Sequence, residues 1–299
     1  MSYHSPSDAF FFNIAPPFYN GTRSVLVVRV QANDATTSAS EGDLAREVFG
    51  YSDSSGSPDA YNLLSAFAQC SYNQLNFEPP SDGRGNNGVY TVSIDRNVAS
   101  QMYGHVRNVV LDKLRTDFAN NDLNALCDHV MVFMPPGTVT NEGYSNWSAF
   151  GIINGYVSLY NDNWCMSTRA QMHEVGHNLG LRHSNEAGST YEDTSGMMGH
   201  IYKDDQPLMC YNTAKNWQLG WYQDKHTTVS PLYDGFWSGQ LIGYVDYMNT
   251  FAPSSASVVV KVEGYNLDYF IGFNVKNGIN GQNWGRIFSR CKAWCWRII

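Results

Sequence analysis

The stretch QMHEVGHNLGLRHS (residues 171–184) holds three of the eight histidines in this chain. His173 and His177 are four residues apart, so on an α-helix both side chains project from one face. Gly180 can adopt backbone conformations that are closed to other residues, and it is typical of a helix end. The chain can therefore turn at Gly180 and bring His183 back towards the other two imidazoles.

The residues around the first two histidines favour a helix. Ser167 or Thr168 can serve as its N-cap. Apolar side chains follow at nearly helical spacing, at Ala170, Met172, Val175 and Leu179. We therefore predict one helix that carries both His173 and His177.

Histidines with this spacing are typical zinc ligands, and three protein ligands leave one coordination position open, as in catalytic rather than structural zinc sites. Glu174 lies about 100° around the helix from His173, so it cannot act as an equivalent ligand. It can still reach a water molecule bound to the ion. We predict that the three histidines bind one Zn²⁺ and that Glu174 is the catalytic residue.

The composition excludes several classes of protein. Hydrophobic residues make up 43% of the 299 residues and charged residues 15%, which is typical of a folded chain with a weakly charged surface. The formal net charge of -8 argues against nucleic acids and anionic membranes as partners. Apolar runs are too short to form a transmembrane segment.

Six cysteines are spread along the chain, at Cys70, Cys127, Cys165, Cys210, Cys291 and Cys295. The first four form no CxxC pair, so disulfides in an oxidising compartment are favoured over a zinc ribbon. We expect Cys165 to pair with Cys210, because they flank the histidine segment, and Cys70 to pair with Cys127 by default.

The location follows from the same features. We predict a secreted protein of the extracellular space or cell wall, although the amino-terminal run DAFFFNIAPPF (8–18) lacks a basic lead and is broken by prolines, unlike a signal peptide. We expect that the chain either begins after a removed leader and pro-segment or comes from an incomplete gene. The last fifteen residues (285–299) contain arginine and lysine but no acidic residue.

Periodic patterns divide the rest of the chain into strands and helices. We predict strands at SVLVVRVQAND (24–34), LNFEP (75–79), VYTVSI (89–94), DHVMVFMPP (128–136) and SAFGIINGYVSLY (148–160). Helices are predicted at 57–72 and within NVASQMYGHVRNVVLDKLRTDFA (97–119), and TTSASEGD (36–43) reads as a loop.

This order of elements predicts an α/β (α+β) fold, in which a twisted mixed sheet lies over the active-site helix. If stretch 148–160 lies at the sheet edge above the cleft, it could pair with an extended peptide by strand addition. Three further strand-like stretches follow residue 231. We predict a catalytic domain over 1–230 and a small β-rich C-terminal subdomain over 231–299, either complete or truncated.

The full pattern His173-Glu174-x-x-His177-x-x-Gly180-x-x-His183 resembles the signature of the metzincin zinc endopeptidases. This resemblance implies a metzincin-type fold, three zinc-binding histidines, and a glutamate that acts as general base on a zinc-activated water. Peptide bonds are the implied substrate.

Downstream, YEDTSGMMGH (191–200) is similar to the methionine turn beneath the zinc of metzincins. Met198 would be the Met-turn residue, with Met197 as the alternative. Together with LMCYNTAKNWQLGWY (208–222), this segment looks like the gametolysin (algal autolysin) family, over about residues 24–263. The resemblance implies extracellular-matrix or cell-wall proteins and glycoproteins as substrates, bound in extended form.

Three residues have less specific roles. His200 or Tyr202 could stabilise the oxyanion of the tetrahedral intermediate. Asp193 could accept a hydrogen bond from a zinc-bound histidine, or it could be a turn residue. Calcium binding stays open, because YSDSSGSPD (51–59) has acidic and hydroxyl groups without EF-hand spacing.

Two other functions remain compatible with the sequence. The chain could be an inactive metzincin-like module that binds matrix through its β-rich C-terminal region, although an intact Glu174 argues against this. It could also be a zinc amidase that acts on non-peptide bonds. In each case we expect a monomer.

Overall fold

The computed structural model describes residues 18–52, 56–185, 189–200, 204, 208–265, 267–275 and 277–281, together with the backbone of 293–297. The amino-terminal run 1–17, Tyr202 and Cys291 lie outside the described residues. The strands are β1 Gly21–Gln31, β2 Leu75–Glu78, β3 Val89–Ser93, β4 His129–Met134, β5 Ala149–Gly151, β6 Val157–Asn161, β7 His226–Val229, β8 Val259–Val262, β9 Tyr269–Phe273 and β10 Ala293–Arg297. The α-helices are α1 Glu41–Phe49, α2 Leu63–Ser71, α3 Tyr103–Asp117, α4 Thr168–Asn178, α5 Thr213–Leu219 and α6 Pro231–Asp234.

The first six strands form one mixed sheet in the order β2-β1-β4-β6-β5, and β3 also pairs with β1. All pairs are parallel except β5 with β6, where Phe150 faces Leu159 in antiparallel register. The sheet is therefore a parallel core with one antiparallel strand at its edge. This arrangement confirms a mixed α/β fold.

Alternation along the strands creates a core on each face of the sheet. In β1, Val25 and Val27 pack with α1, α2 and α4, whereas Leu26 and Val28 pack with α3. Helix α3 covers the second face through four buried residues: Val106, Val110, Leu111 and Leu114. The predicted strands β1, β2, β3 and β4 and the long helix α3 are confirmed in outline.

Two helices differ from the sequence prediction. The predicted loop 36–43 contains the start of α1, which Ser40 caps through a capping box with Asp43. The predicted helix 57–72 begins only at Leu63, because Asn62 caps its first turn. The first error arises because Ser40 and Asp43 also read as loop residues, and the second because Ser57 and Pro58 also read as a helix start.

The stretch predicted as one strand over 148–160 is instead a hairpin of β5 and β6. The chain reverses at Asn154, which has a positive φ of 56° and tolerates this conformation better than most residues. The hairpin puts β5 at the edge of the sheet, against α4.

Strands β7 to β10 form a second sheet in the order β10-β9-β8-β7. Side chains of this region, including Val259 and Phe270, belong to the same apolar core as α1, α2 and α4. The division into 1–230 and 231–299 remains a prediction.

The predicted disulfides are wrong. Cys70 is bonded to Cys210, with their Cα atoms 5.5 Å apart, whereas Cys127 and Cys165 are free and buried. Cys70 lies in the last turn of α2, and packing of α2 against the segment after the methionines brings the two sulfurs together. Position relative to the histidine segment did not decide the pairing. None of the helices in the described residues is long and apolar enough to cross a membrane.

Candidate active site

Helix α4 supplies the first half of the site, and all of its residues are buried between the sheet and the segments below it. Ser167 is the N-cap, and its side chain accepts a hydrogen bond from the Ala170 amide, as one of the two predicted caps. Burial on all sides fixes the rotation of the helix, and therefore the direction in which its polar side chains point.

The turn after α4 returns the chain as the glycine pattern predicts. Gly180 has a φ of +84°, and the Leu181 amide donates to the Gly176 carbonyl. A Cβ atom on Gly180 would lie 2.5 Å from the Asn154 side-chain oxygen, so the position requires glycine for both conformation and space. His183 follows this turn and lies beside the two histidines of α4.

The three histidines converge on one point. Their candidate ligand atoms all lie within 4.8 Å of one another, and no other group of this kind occurs among the described residues. The Nε2 atoms of His177 and His183 are 3.1 Å apart. Nitrogen ligands of a tetrahedral zinc ion lie about 3.3 Å apart when the zinc–nitrogen bonds are about 2.0 Å. The spacing of His177 and His183 is therefore close to that of two ligands of one zinc ion.

Backbone carbonyls orient two of the rings. His173 Nδ1 donates to the Met197 carbonyl and His177 Nδ1 donates to the Leu181 carbonyl, each at 2.7 Å. A hydrogen on Nδ1 leaves the lone pair on Nε2, which faces the shared point. The Nε2 atom of His173 is buried and has no hydrogen-bond partner. Such an atom fits a metal ligand.

The histidines are also held in the neutral form that binds metal. Burial lowers the pKa of His183 to about 4 and lowers the pKa of His177. The pKa of His173 falls well below its usual range, through burial and through the two neighbouring histidines. Because neutral imidazoles keep a free lone pair, the residues present fit a divalent metal ion.

Glu174 lies at the base of the adjoining cleft and is only 3% exposed. Burial raises the pKa of its carboxyl group to about 8, while a hydrogen bond from the Gly151 amide opposes this effect. A Cβ atom on Gly151 would lie 2.4 Å from the Glu174 carbonyl oxygen and 3.0 Å from its Oε2. Gly151 thus permits β5 to approach the carboxylate, a role the sequence did not reveal.

The cleft has a volume of about 530 Å³ and combines polar groups of α4 with apolar groups of the β5 edge. It is lined by Ser148, Ala149, Phe150, Gly151, Ile153, His173, Glu174, His177, His183, Tyr191 and His200. Phe150 is 40% exposed, so the rim of the cleft offers an accessible apolar surface beside the buried carboxylate.

Both methionines of the predicted turn lie beneath the histidines, with different roles. The Met197 carbonyl accepts from His173, whereas the Met198 sulfur lies 2.7 Å from where a Cβ of Gly176 would stand. The Met198 carbonyl accepts from the Ser184 amide at 2.8 Å. The assignment of Met198 as Met-turn residue stays a prediction, which its side-chain position under α4 supports.

The other two predicted site residues that the structure describes, Asp193 and His200, lie in different surroundings. Asp193 is fully buried, and its carboxylate accepts from the Ser195 amide and hydroxyl and from Asn212. Because His173 and His177 donate to carbonyls instead, these contacts favour the turn role of Asp193. His200 is exposed and lines the cleft.

Sequence reasoning missed Tyr191, because it precedes the methionines rather than following them. Its ring packs on that of His183, with centroids 4.6 Å apart, and it is 48% exposed in the cleft. Burial, and then the charge of Glu174, raise the pKa of its hydroxyl. The phenol therefore keeps its proton and can donate a hydrogen bond into the cleft.

The chain resembles known proteins at two levels, in its structure and in its family. Two crystal structures of wild type OgpA from Akkermansia muciniphila are similar to the chain. The first is 13% identical with a TM-score of 0.39, and the similarity covers 91% of this chain and 76% of that chain. The second is 14% identical with a TM-score of 0.40, and the similarity covers 97% of this chain and 87% of that chain. These similarities are too weak to support a conclusion about fold or function. No curated protein matches the chain.

The family described as gametolysin peptidase M11 matches residues 26–231. The matched range extends from β1 to the end of β7 and contains the three histidines, Glu174 and both methionines. A metal, typically zinc, is implied for this family. The chain belongs to the gametolysin family of metallopeptidases.

Proposed function

We propose that the chain is a zinc-dependent endopeptidase. The observation that carries this proposal is the convergence of three neutral histidines beside a buried carboxylate, in a cleft bordered by an edge strand. His173, His177 and His183 would hold the ion. When bound, zinc supplies Lewis-acid polarisation of a carbonyl group and lowers the pKa of water.

Glu174 is the general base and then the general acid of this reaction. Its carboxylate accepts a proton from the attacking water and delivers that proton to the leaving amine as the peptide bond breaks. Burial raises the pKa of this carboxyl group above its usual range, which favours the protonated form that the acid step needs. The Gly151 amide holds the carboxylate in place.

The substrate is an extended peptide that lies along β5. This strand is the edge of the six-stranded sheet, so its outer backbone groups are available for strand addition. Phe150 and Ile153 add an exposed apolar surface at the same rim. Hydrogen bonds between the peptide backbone and β5 would bind peptides of many sequences. Contacts with the apolar rim would then favour some peptide side chains over others.

Tyr191 is the donor that stabilises the oxyanion in our proposal. Its ring packs on His183 and its hydroxyl keeps a proton. A positioned hydroxyl donor in a cleft is suited to stabilise developing negative charge on the scissile carbonyl oxygen. His200, also in the cleft, is the second candidate.

The proposed setting is extracellular, with matrix or cell-wall proteins and glycoproteins as substrates and a monomer as the active form. The disulfide between Cys70 and Cys210 supports an oxidising compartment. Family membership supports a peptidase that works on such substrates, and the apolar rim of the cleft supports binding of protein rather than of a small amide.

The experiment measures zinc content and cleavage of casein or gelatin, for wild type and Glu174→Gln, with and without a chelator. We expect one zinc per chain in both proteins, and a loss of activity of roughly a thousandfold in the variant. Glu78→Gln, at an exposed carboxylate on β2, is the control and should match wild type.

The outcomes separate the candidate functions. Absence of zinc from the wild type would overturn the metal site. Zinc without cleavage, together with binding to matrix, would instead support the inactive binding module. Cleavage of small amides but not of proteins would support an amidase.

A further inference from the structure

A short segment after the methionines, residues 210–212, is bonded to several parts of the site, and we call it the clamp segment. The Cys210 carbonyl accepts from the Met197 amide at 3.1 Å. The Tyr211 hydroxyl donates to the Met172 carbonyl of α4 at 2.7 Å. The Asn212 side chain donates to the Ser184 hydroxyl at 3.0 Å. The clamp segment thus contacts the methionine turn, the helix and the turn after His183.

Each of these contacts is one residue or one hydrogen bond away from a histidine. Met197, held by the Cys210 carbonyl, accepts through its own carbonyl from His173. Met172 precedes His173 in α4, and Ser184 follows His183. The position of the clamp segment therefore determines where two of the three imidazoles can lie.

The clamp segment is itself fixed by a covalent bond. Cys210 is linked to Cys70 of α2, 140 residues away in sequence, and both residues are at least 98% buried. The Cys210 amide also donates to the Asn280 side chain at 2.9 Å. Helix α2 packs against α1 and α4 in the main core, so the disulfide ties the clamp segment to a rigid element.

We propose that the Cys70–Cys210 disulfide is a positioning element of the metal site, which acts through the clamp segment and Met197 on His173. This inference rests on the proposed zinc-binding function and extends it. Removal of the bond leaves the three histidines in the chain but lets the clamp segment shift relative to α4. Ligands that are no longer held in place bind the metal more weakly, as when outer groups around a metal site are removed.

Burial of both sulfurs makes this a permanent constraint. A reductant in solution cannot reach the bond without local opening of the core, so we expect slow reduction of the folded protein. Replacement of a cysteine is for this reason a cleaner test than added thiol.

The test compares Cys70→Ala with wild type. The first measurement is zinc affinity, by competition with a chromophoric chelator, and the second is the visible absorption spectrum of the cobalt-substituted protein, which reports ligand geometry. We expect the variant to bind zinc roughly tenfold more weakly and to show a changed cobalt spectrum. Cys127→Ala is the matched control, because Cys127 is a free, buried cysteine on the other face of the sheet.

Equal zinc affinity and identical cobalt spectra for Cys70→Ala and wild type would overturn the proposal, as would an equal loss in Cys127→Ala. If Cys70→Ala does not fold, Cys70→Val carries the test, because it breaks the same bond to Cys210 but keeps more of the buried volume of this core position. Wild-type affinity in that variant would then overturn the proposal. If the wild type itself binds no zinc, the proposed function fails instead.

Discussion

The two faces of the six-stranded sheet are built from the same strands but differ in chemistry. The face covered by α3 is an apolar layer of valine, leucine and methionine side chains, among them Val110, Leu114 and Leu159. The opposite face carries an apolar core as well, together with buried polar residues of α4 such as Arg169, the histidines and Glu174. Both faces therefore contribute apolar packing, but the candidate functional groups lie on one of them.

The difference shows how buried polar groups are accommodated. On the site face, the polar side chains of α4 are matched by backbone groups: Gln171 donates to the Cys165 carbonyl, and Asn178 to the carbonyls of Ile152 and Val157. Such bonds fix orientation at little net gain in stability. The apolar side chains on the α3 face need no hydrogen bonds to orient them, and their burial stabilises the fold. Changes on the two faces should therefore affect different measurements.

Apart from the loss of Glu174 itself, the largest effect is expected for Gly151→Ala on the site face. Its Cβ would collide with the Glu174 backbone and carboxylate, so β5 must move away from α4 and the general base loses its position. We expect kcat/KM to fall roughly a hundredfold, as for a misplacement of about 1 Å. The measurement is peptide cleavage by folded protein.

Gly104→Ala in α3 is the matched control, because no atom beyond the neighbouring residues and the helix backbone lies within 4 Å of its added Cβ. This variant should keep wild-type kcat/KM. A Gly151→Ala enzyme with full activity would show that close approach of β5 is not required.

On the α3 face, Leu114→Ala should lower the free energy of unfolding without changing catalysis. Leu114 is fully buried, and its truncation leaves a cavity against the sheet. We expect the free energy of unfolding to fall by about 3 kcal/mol, measured by denaturant titration. The kcat/KM of the folded fraction should stay within twofold of wild type, and a tenfold loss would contradict the separation of the two faces.

The pH dependence of stability should also differ between the faces, because His129 lies at the start of β4 on the site side, against Phe77. Burial, and then Arg23, lower the pKa of His129 to about 4. The pKa of His129 is lower in the folded chain than in the unfolded chain, so protonation favours unfolding. The free energy of unfolding is therefore highest above about pH 6.5 and decreases as the pH falls towards 4. The loss amounts to about 3 kcal/mol.

His129→Phe should remove that part of the pH dependence, because the unfolded chain then has one histidine fewer to protonate. Denaturant titrations at pH 7 and pH 4.5 measure the difference. His105→Phe, at an exposed position of α3, is the control and should keep the wild-type difference. An unchanged difference in His129→Phe would show that His129 does not titrate in this window.

How much could be predicted from the sequence depends on the range of the interactions. The α4 segment, the turn at Gly180 and the convergence of the histidines follow from spacing over fourteen residues, and the prediction of a gametolysin was confirmed. The β1 and β4 strands are likewise visible in local patterns. These features need no knowledge of the rest of the fold.

Features that depend on distant contacts were not accessible. The Cys70–Cys210 pairing depends on how α2 packs against a segment 140 residues later. The need for glycine at 151 arises only from its approach to Glu174, and the ring contact between Tyr191 and His183 joins residues that no helical or strand periodicity relates. A local pattern contains none of these distances.

The smallest effect tests whether the site face matters as a whole or only through its polar groups. Helix α1 lies on that face, but its capping box of Ser40 and Asp43 is exposed at the helix start. Ser40→Ala should lower the free energy of unfolding by about 1 kcal/mol and leave kcat/KM unchanged, because it leaves intact the buried Glu47 of α1, which accepts a hydrogen bond from Thr168 of α4. Ser81→Ala, in an exposed turn, is the control for stability. If Ser40→Ala lowered kcat/KM as strongly as Gly151→Ala, orientation of the site would depend on the entire face, and the distinction between its apolar core and its polar groups would not hold.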